Sequence, residues 1–259
     1  MVLAIYLSQL SWSRPDDSFL PVLLAIGLAA VHLFAGNLRG FRVIPRSSWL
    51  SLAGGASVSY VFVHIFPELN YHQRAFEQMG ASLVGFFEHH VYLVALVGFA
   101  VFYGLERFAI TSRQQNRQNK GGDVTSPRAA ILHIASFALY NALIGYLLVH
   151  QQLSGSGELI LFSVAIALHF VVNDYGLRVH HKTAYDRIGR WLLAAAVILG
   201  WGVGQLTSIH DAAIATLFAF LSGGIILNVL KEELPEERES RFWAFGLGAI
   251  LYTLLLIDY

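Results

Sequence analysis

Residues 54–69 read GGASVSYVFVHIFPEL, and residues 222–237 read SGGIILNVLKEELPEE. Placing the first on the second at an offset of 168 positions matches Gly55 with Gly223, Pro67 with Pro235 and Glu68 with Glu236, while His64 falls on Glu232. Each stretch closes a run apolar enough to cross a bilayer. A motif shared by two spans is the mark of an internal repeat. Whether the repeat is direct or inverted depends on the number and direction of the spans between the two copies.

Composition places the chain in a membrane. Of 259 residues, 56% are hydrophobic and 13% charged, with a mean hydropathy of +0.56. Soluble domains carry about 25% charged residues. A net charge of zero and the absence of a basic stripe exclude a nucleic-acid binder. With no cysteine, disulfides and thiolate metal sites are excluded, so any metal ligand is nitrogen or oxygen. The first eighteen residues, MVLAIYLSQLSWSRPDDS, lack a basic n-region and a small-residue cleavage site and read as an amphipathic or interfacial lead-in.

A spanning helix needs about 20 mostly apolar residues. Segments of that kind run near 19–38, 48–67, 90–108, 130–150, 158–178, 190–209 and 211–231, and a shorter eighth covers 242–257. The chain is expected to be an all-α, polytopic membrane protein forming one domain over residues 1–259, with a flexible polar loop at 112–128. Its lysines and arginines divide 15 to 2 between the two sides, and Arg14 and Arg74 are the minority. By the positive-inside rule the 112–128 loop is cytoplasmic and both termini lie outside. A seventh span without an eighth would place the C-terminus inside. Spans 2 and 7 then run in opposite senses, so the repeat is inverted, as in many secondary transporters.

The intramembrane polar residues are the functional candidates. The run ALHFVVNDYGL at 167–177 holds His169, Asn173 and Asp174 on span 5. An aspartate at helix centre opposes insertion by about 2.5–3.5 kcal/mol, so it needs a partner, water or a ligand. His169 and Asn173 are one turn apart on one face, and Asn141 on span 4 sits at similar depth. One imidazole, one carboxylate and amide carbonyls can hold a single divalent cation, with water completing the shell. Such a site is weak, which suits conduction. Interhelical hydrogen bonding among the same residues is the structural alternative.

His64 and Glu68 near the outer end of span 2 read equally as an entry site or as interfacial residues. The same holds for Glu88, His89 and His90 at the start of span 3. His180 and His181 read as a solvated loop, Glu106 as an interfacial charge beside Arg107, and His32 and His133 as packed histidines.

In its eight spans, its external termini, its loop between spans 3 and 4 and its His64-Ile65-Phe66-Pro67-Glu68 ending, the chain resembles the ZIP family of divalent metal transporters. The resemblance implies spans 4 and 5 at the centre, flanked by spans 1–3 and 6–8 as inverted halves in a 3+2+3 bundle. It also implies transport of zinc or another divalent metal as substrate, with no resident cofactor. Against the family's span 4 motif, Asn141 and Gly145 match and Tyr140 and Ile144 differ. Against its span 5 motif, His169 and Asp174 match and Phe170 and Val172 differ. The implied metal residues are His169, Asp174 and Asn141, with Asn173, His64 and Glu68 added from the spacing above.

The expected partners are the metal ion and the lipid bilayer, and pairing into a homodimer stays open. Short loops fit a bacterial inner membrane. An intramembrane metallohydrolase is disfavoured, because no two of the eleven histidines are four apart and no activated serine stands out. The remaining alternative is a ZIP-like protein that no longer transports and serves a regulatory or structural role.

Overall fold

A computed structural model of the chain describes residues 19–34, 46–77, 90–119, 122–150, 156–233 and 241–257. Among them all regular structure is helical. Helix α1 is Phe19–Phe34. Helix α2, Arg46–Tyr60, passes through a π-helical turn at Val61–Ile65 into α3, Phe66–Glu77. Then follow α4 (Val91–Gln118), α5 (Pro127–His150) and α6 (Ser156–His181). A second π-helical turn at Tyr185–Gly189 leads into α7, Arg190–Leu206, and the series ends with α8 (Asp211–Glu233) and α9 (Phe242–Ile257).

Among the described residues six helices are long and apolar enough to cross a membrane: Ser51–Gln73, Val91–Gln118, Pro127–His150, Ser156–His181, Tyr185–Leu206 and Asp211–Lys231. Helices α1 and α9 are apolar but have 16 residues each. At 1.5 Å per residue they cover about 24 Å of a hydrocarbon core about 30 Å thick. Large apolar side chains cover the outside of the bundle, among them Ile131 and Leu139 on α5, Leu199 on α7 and Ile250 and Leu254 on α9. A helix apolar on its outer as well as its inner face belongs in lipid. The chain is a multi-pass helical membrane protein.

Three helix pairs are held by glycines where the backbones touch. Gly55 of α2 lies on the Phe245 carbonyl and Ala249 amide of α9, and Gly248 of α9 lies on the Leu52 carbonyl. Gly223 of α8 lies on the Ala95 carbonyl and Phe99 amide of α4, and Gly98 of α4 lies on the Phe220 carbonyl. Gly145 of α5 and Gly200 of α7 make the third crossing. At all six positions a β-carbon would collide with backbone, the small-residue packing that lipid-embedded helices use in place of a hydrophobic drive.

The first two crossings repeat each other. Gly55 to Gly223 and Leu52 to Phe220 are both 168 positions apart, while Ala95 to Phe245, Gly98 to Gly248 and Phe99 to Ala249 are all 150 apart. The matching Pro67 lies in α3, whereas Pro235 and Glu236 fall outside the described residues, as do Glu88 and His89.

Several segments differ in extent from the sequence reading. Span 2 runs on to Glu77, beyond the expected end at 67. Residues 112–118, expected in a flexible loop, continue α4, because their Gln, Asn and Arg side chains are good helix formers or find partners. The Arg113 guanidinium donates two bonds to Asp123, at 2.8 and 2.7 Å, and the Asn116 amide donates to the Val124 carbonyl at 2.9 Å. These bonds fold residues 122–126 back onto the end of α4 and into contact with the end of α6, where the Thr125 amide donates to the His180 carbonyl. Lys182, at φ +42°, takes the left-handed turn that ends α6.

Candidate functional site

Helices α1, α5 and α6 meet at His32. Its Nδ1 is 2.8 Å from Asp174 Oδ1 on α6, and its Nε2 is 2.7 Å from Asn141 Oδ1 on α5. All three side chains are buried, Asp174 and Asn141 completely. Phe170, also fully buried, covers the imidazole with its ring centroid at 4.4 Å.

The hydrogens of this cluster follow from its geometry. Asn141 spends its amide NH2 on the Phe137 carbonyl one turn earlier, at 2.7 Å, so its oxygen is what faces His32. An amide oxygen only accepts, and His32 therefore donates from Nε2. A further hydrogen lies between Nδ1 and Asp174 Oδ1. The pair is an imidazolium with a carboxylate or an imidazole accepting from a carboxylic acid. Asp174 Oδ2 is buried with no hydrogen-bond partner among the described residues. The buried Tyr185 hydroxyl interacts with Asp174 both by charge and as a weak hydrogen-bonding neighbour, short of a well-formed bond.

The structure thus brings together Asn141 and Asp174, two of the residues expected to cluster, through a third that the sequence reading treated as packing. His169 takes a different partner: the Tyr140 hydroxyl lies 3.1 Å from its Nε2. Asn173 is buried, and its amide nitrogen has no partner among the described residues. His64 stacks on Tyr60 at 5.0 Å at the first π-helical turn, and its buried Nε2 has no partner among the described residues. Glu68 pairs with His72 at 3.4 Å. Among the described residues no group of three or more histidine, aspartate or glutamate side chains is arranged to hold a metal ion.

A second buried group lies where α4, α5, α6 and α8 converge near the 122–126 segment. Glu106 is 6% exposed, and its Oε2 is 2.8 Å from Lys231 Nζ and 3.5 Å from His133 Nε2, with His180 Nε2 3.2 Å from Oε1. His133 Nδ1 is 2.9 Å from His181 Nε2, and His181 Nδ1 is 2.6 Å from the Thr125 hydroxyl. The expectations of an interfacial Glu106 beside Arg107 and of a solvated His181 are corrected here. Lys231 of another helix reaches Glu106, and α6 extends far enough to carry His181 into the bundle at 3% exposure.

No protein-family model matches the chain, and no curated protein or solved structure matches it.

Proposed function

We propose that the chain is a cation transporter of ZIP-like 3+2+3 organisation whose substrate is a divalent metal ion such as zinc. The observation that carries this reading is Asp174, a wholly buried carboxylate with one oxygen on His32 and the other without a well-formed hydrogen bond among the described residues. Intramembrane carboxylates of this kind mark ion pathways. Asp174, His32 and the Asn141 oxygen, with His169 nearby on α6, offer oxygen and imidazole ligands suited to zinc-like ions. Binding requires the hydrogen between His32 Nδ1 and Asp174 to leave and the Asn141 contact to open, which keeps affinity low and lets the ion move on.

The constant offsets in the glycine crossings support an inverted repeat relating spans 1–3 to 6–8. Basic-residue asymmetry supports an orientation with residues 112–128 in the cytoplasm and both ends outside. The test is zinc uptake into proteoliposomes by the wild type, Asp174→Ala, His32→Ala and His169→Ala. Uptake that depends on Asp174 and His32 is expected, and uptake untouched by all three changes sinks this assignment of the site.

The second reading is a non-transporting membrane protein with a structural or regulatory role. Its support is the mutual satisfaction of His32 and Asn141 and the lack of a three-ligand group among the described residues. A wild type that moves no divalent metal across a panel selects it.

A further inference from the structure

The group around Glu106 is left without a task by metal transport through His32 and Asp174. Its inner part is an ion pair, Lys231 on Glu106 at 2.8 Å. Its outer part is a chain in which each contact needs one hydrogen between two atoms: His133 Nδ1 to His181 Nε2 at 2.9 Å, then His181 Nδ1 to Thr125 Oγ1 at 2.6 Å. A neutral imidazole donates from one nitrogen and accepts at the other. The chain is therefore polarised along its length. One consistent arrangement has Thr125 O–H donating to His181 Nδ1, His181 Nε2–H donating to His133 Nδ1, and His133 Nε2–H aimed at Glu106. That last nitrogen is buried without a hydrogen-bond partner among the described residues and stands 3.5 Å from Glu106 Oε2.

The geometry points to a proton relay, Glu106–His133–His181–Thr125, between the Lys231 ion pair and the 122–126 segment. Inward passage is balanced as follows. His133 gives its Nε2 proton to a Glu106 oxygen, and His133 Nδ1 takes the proton of His181 Nε2. His181 Nδ1 takes the Thr125 hydroxyl proton, and the Thr125 oxygen, on a residue only 6% exposed, takes one from a hydronium reaching it from the surface. Glu106 has gained one proton and the water side has lost one. Outward passage is the reverse, and reversal or ring rotation resets the tautomers. Lys231 makes this workable, because its ammonium meets the Glu106 charge and leaves the imidazoles free to stay neutral between passages.

The groups facing His133 are Glu106 of α4, Lys231 of α8, and His180 and His181 of α6.

The relay goes beyond the transport reading and is tested apart from it. The full chain is placed in liposomes holding a trapped pH dye and a zinc dye, under a valinomycin-set potassium potential, with and without external zinc. Wild type is expected to move protons in at least one condition. His181→Gln and the milder Thr125→Val should lower that movement about tenfold and a few fold, and added imidazole buffer should restore much of the His181→Gln loss. Rescue by a diffusible proton carrier is a response that a variant damaged only in folding does not give. Proton movement without zinc entry supports the relay and removes the metal reading. Zinc entry without proton movement overturns the relay and leaves the metal reading standing. Proton movement equal in wild type and both variants, or absent in both conditions, overturns the relay.

Discussion

His32 of α1 bridges Asp174 of α6 and Asn141 of α5, donating to the amide oxygen at 2.7 Å and sharing a hydrogen with the carboxylate at 2.8 Å. One buried ring joins α1 to the consecutive helices α5 and α6, at residues more than a hundred positions on. His32→Ala leaves the Asp174 carboxylate buried without its partner, and loss of one member of a buried pair costs about 3–5 kcal/mol. The expected outcome is a loss of that size in denaturant unfolding of the detergent-solubilised protein. Asp174→Ala on the His32→Ala background should add far less than it does alone, a coupling near the upper end of about 0.5–3 kcal/mol. Additivity of the two changes would show the bridge to be energetically idle.

Tyr140 and His169 provide a smaller contact by which to scale the first. Tyr140→Phe removes one interhelical hydrogen bond, at 3.1 Å, and keeps the ring. Such bonds in membranes are worth about 0.6 kcal/mol on average and at most about 2. The expected destabilisation is within that range, with zinc uptake retained if His32 and Asp174 form the ion site.

Gly145 and Gly202 should respond to the same substitution with opposite signs. A β-carbon on Gly145 meets the Val197 carbonyl and Trp201 amide, so Gly145→Ala forces α5 and α7 apart at about 1–3 kcal/mol. Gly202 has open space around its β-position inside α7, and Gly202→Ala should stabilise the helix by about 0.5–1 kcal/mol. Unfolding measurements on the two variants check both signs.

The Asp123 loop should loosen in acid. Arg113 first, then Lys182, holds the Asp123 carboxyl below the usual carboxylate range. A carboxyl lowered in the folded state contributes stability that is full above its ordinary value of about 3.9 and fades as pH falls through the depressed one. Hydrogen exchange at residues 122–126 should therefore quicken below about pH 4, and Asp123→Asn should produce the same quickening at neutral pH. Protection unchanged in Asp123→Asn would refute the attachment.

Because the chain has no cysteine, single cysteines report topology cleanly. The expected result is that Gly122→Cys reacts with a membrane-impermeant maleimide only from the cytoplasmic side and Ser208→Cys only from the outside. Labelling of both from one side would remove the proposed orientation.

Helices, apolar character and approximate spans were legible in the sequence because they follow from local composition over about twenty residues. The ends of α4 and α6 were not, since their polar last turns are held by tertiary partners: Asp123 for Arg113, His133 for His181. The 168-residue match of Gly55 and Gly223 was visible as pattern, and the structure gave it a physical reason in two backbone crossings of the same design.

The polar residues were visible one by one, but their partnerships were not. Sequence spacing relates side chains on one helix, four apart on one face. His32 meets Asp174 across 142 positions and His133 meets His181 across 48. Which imidazole meets which carboxylate depends on how the bundle packs helices that are not neighbours in sequence, such as α1 on α6. Only the packed bundle determined that His32 would hold Asp174, and that Glu106 would lie among three histidines and a lysine.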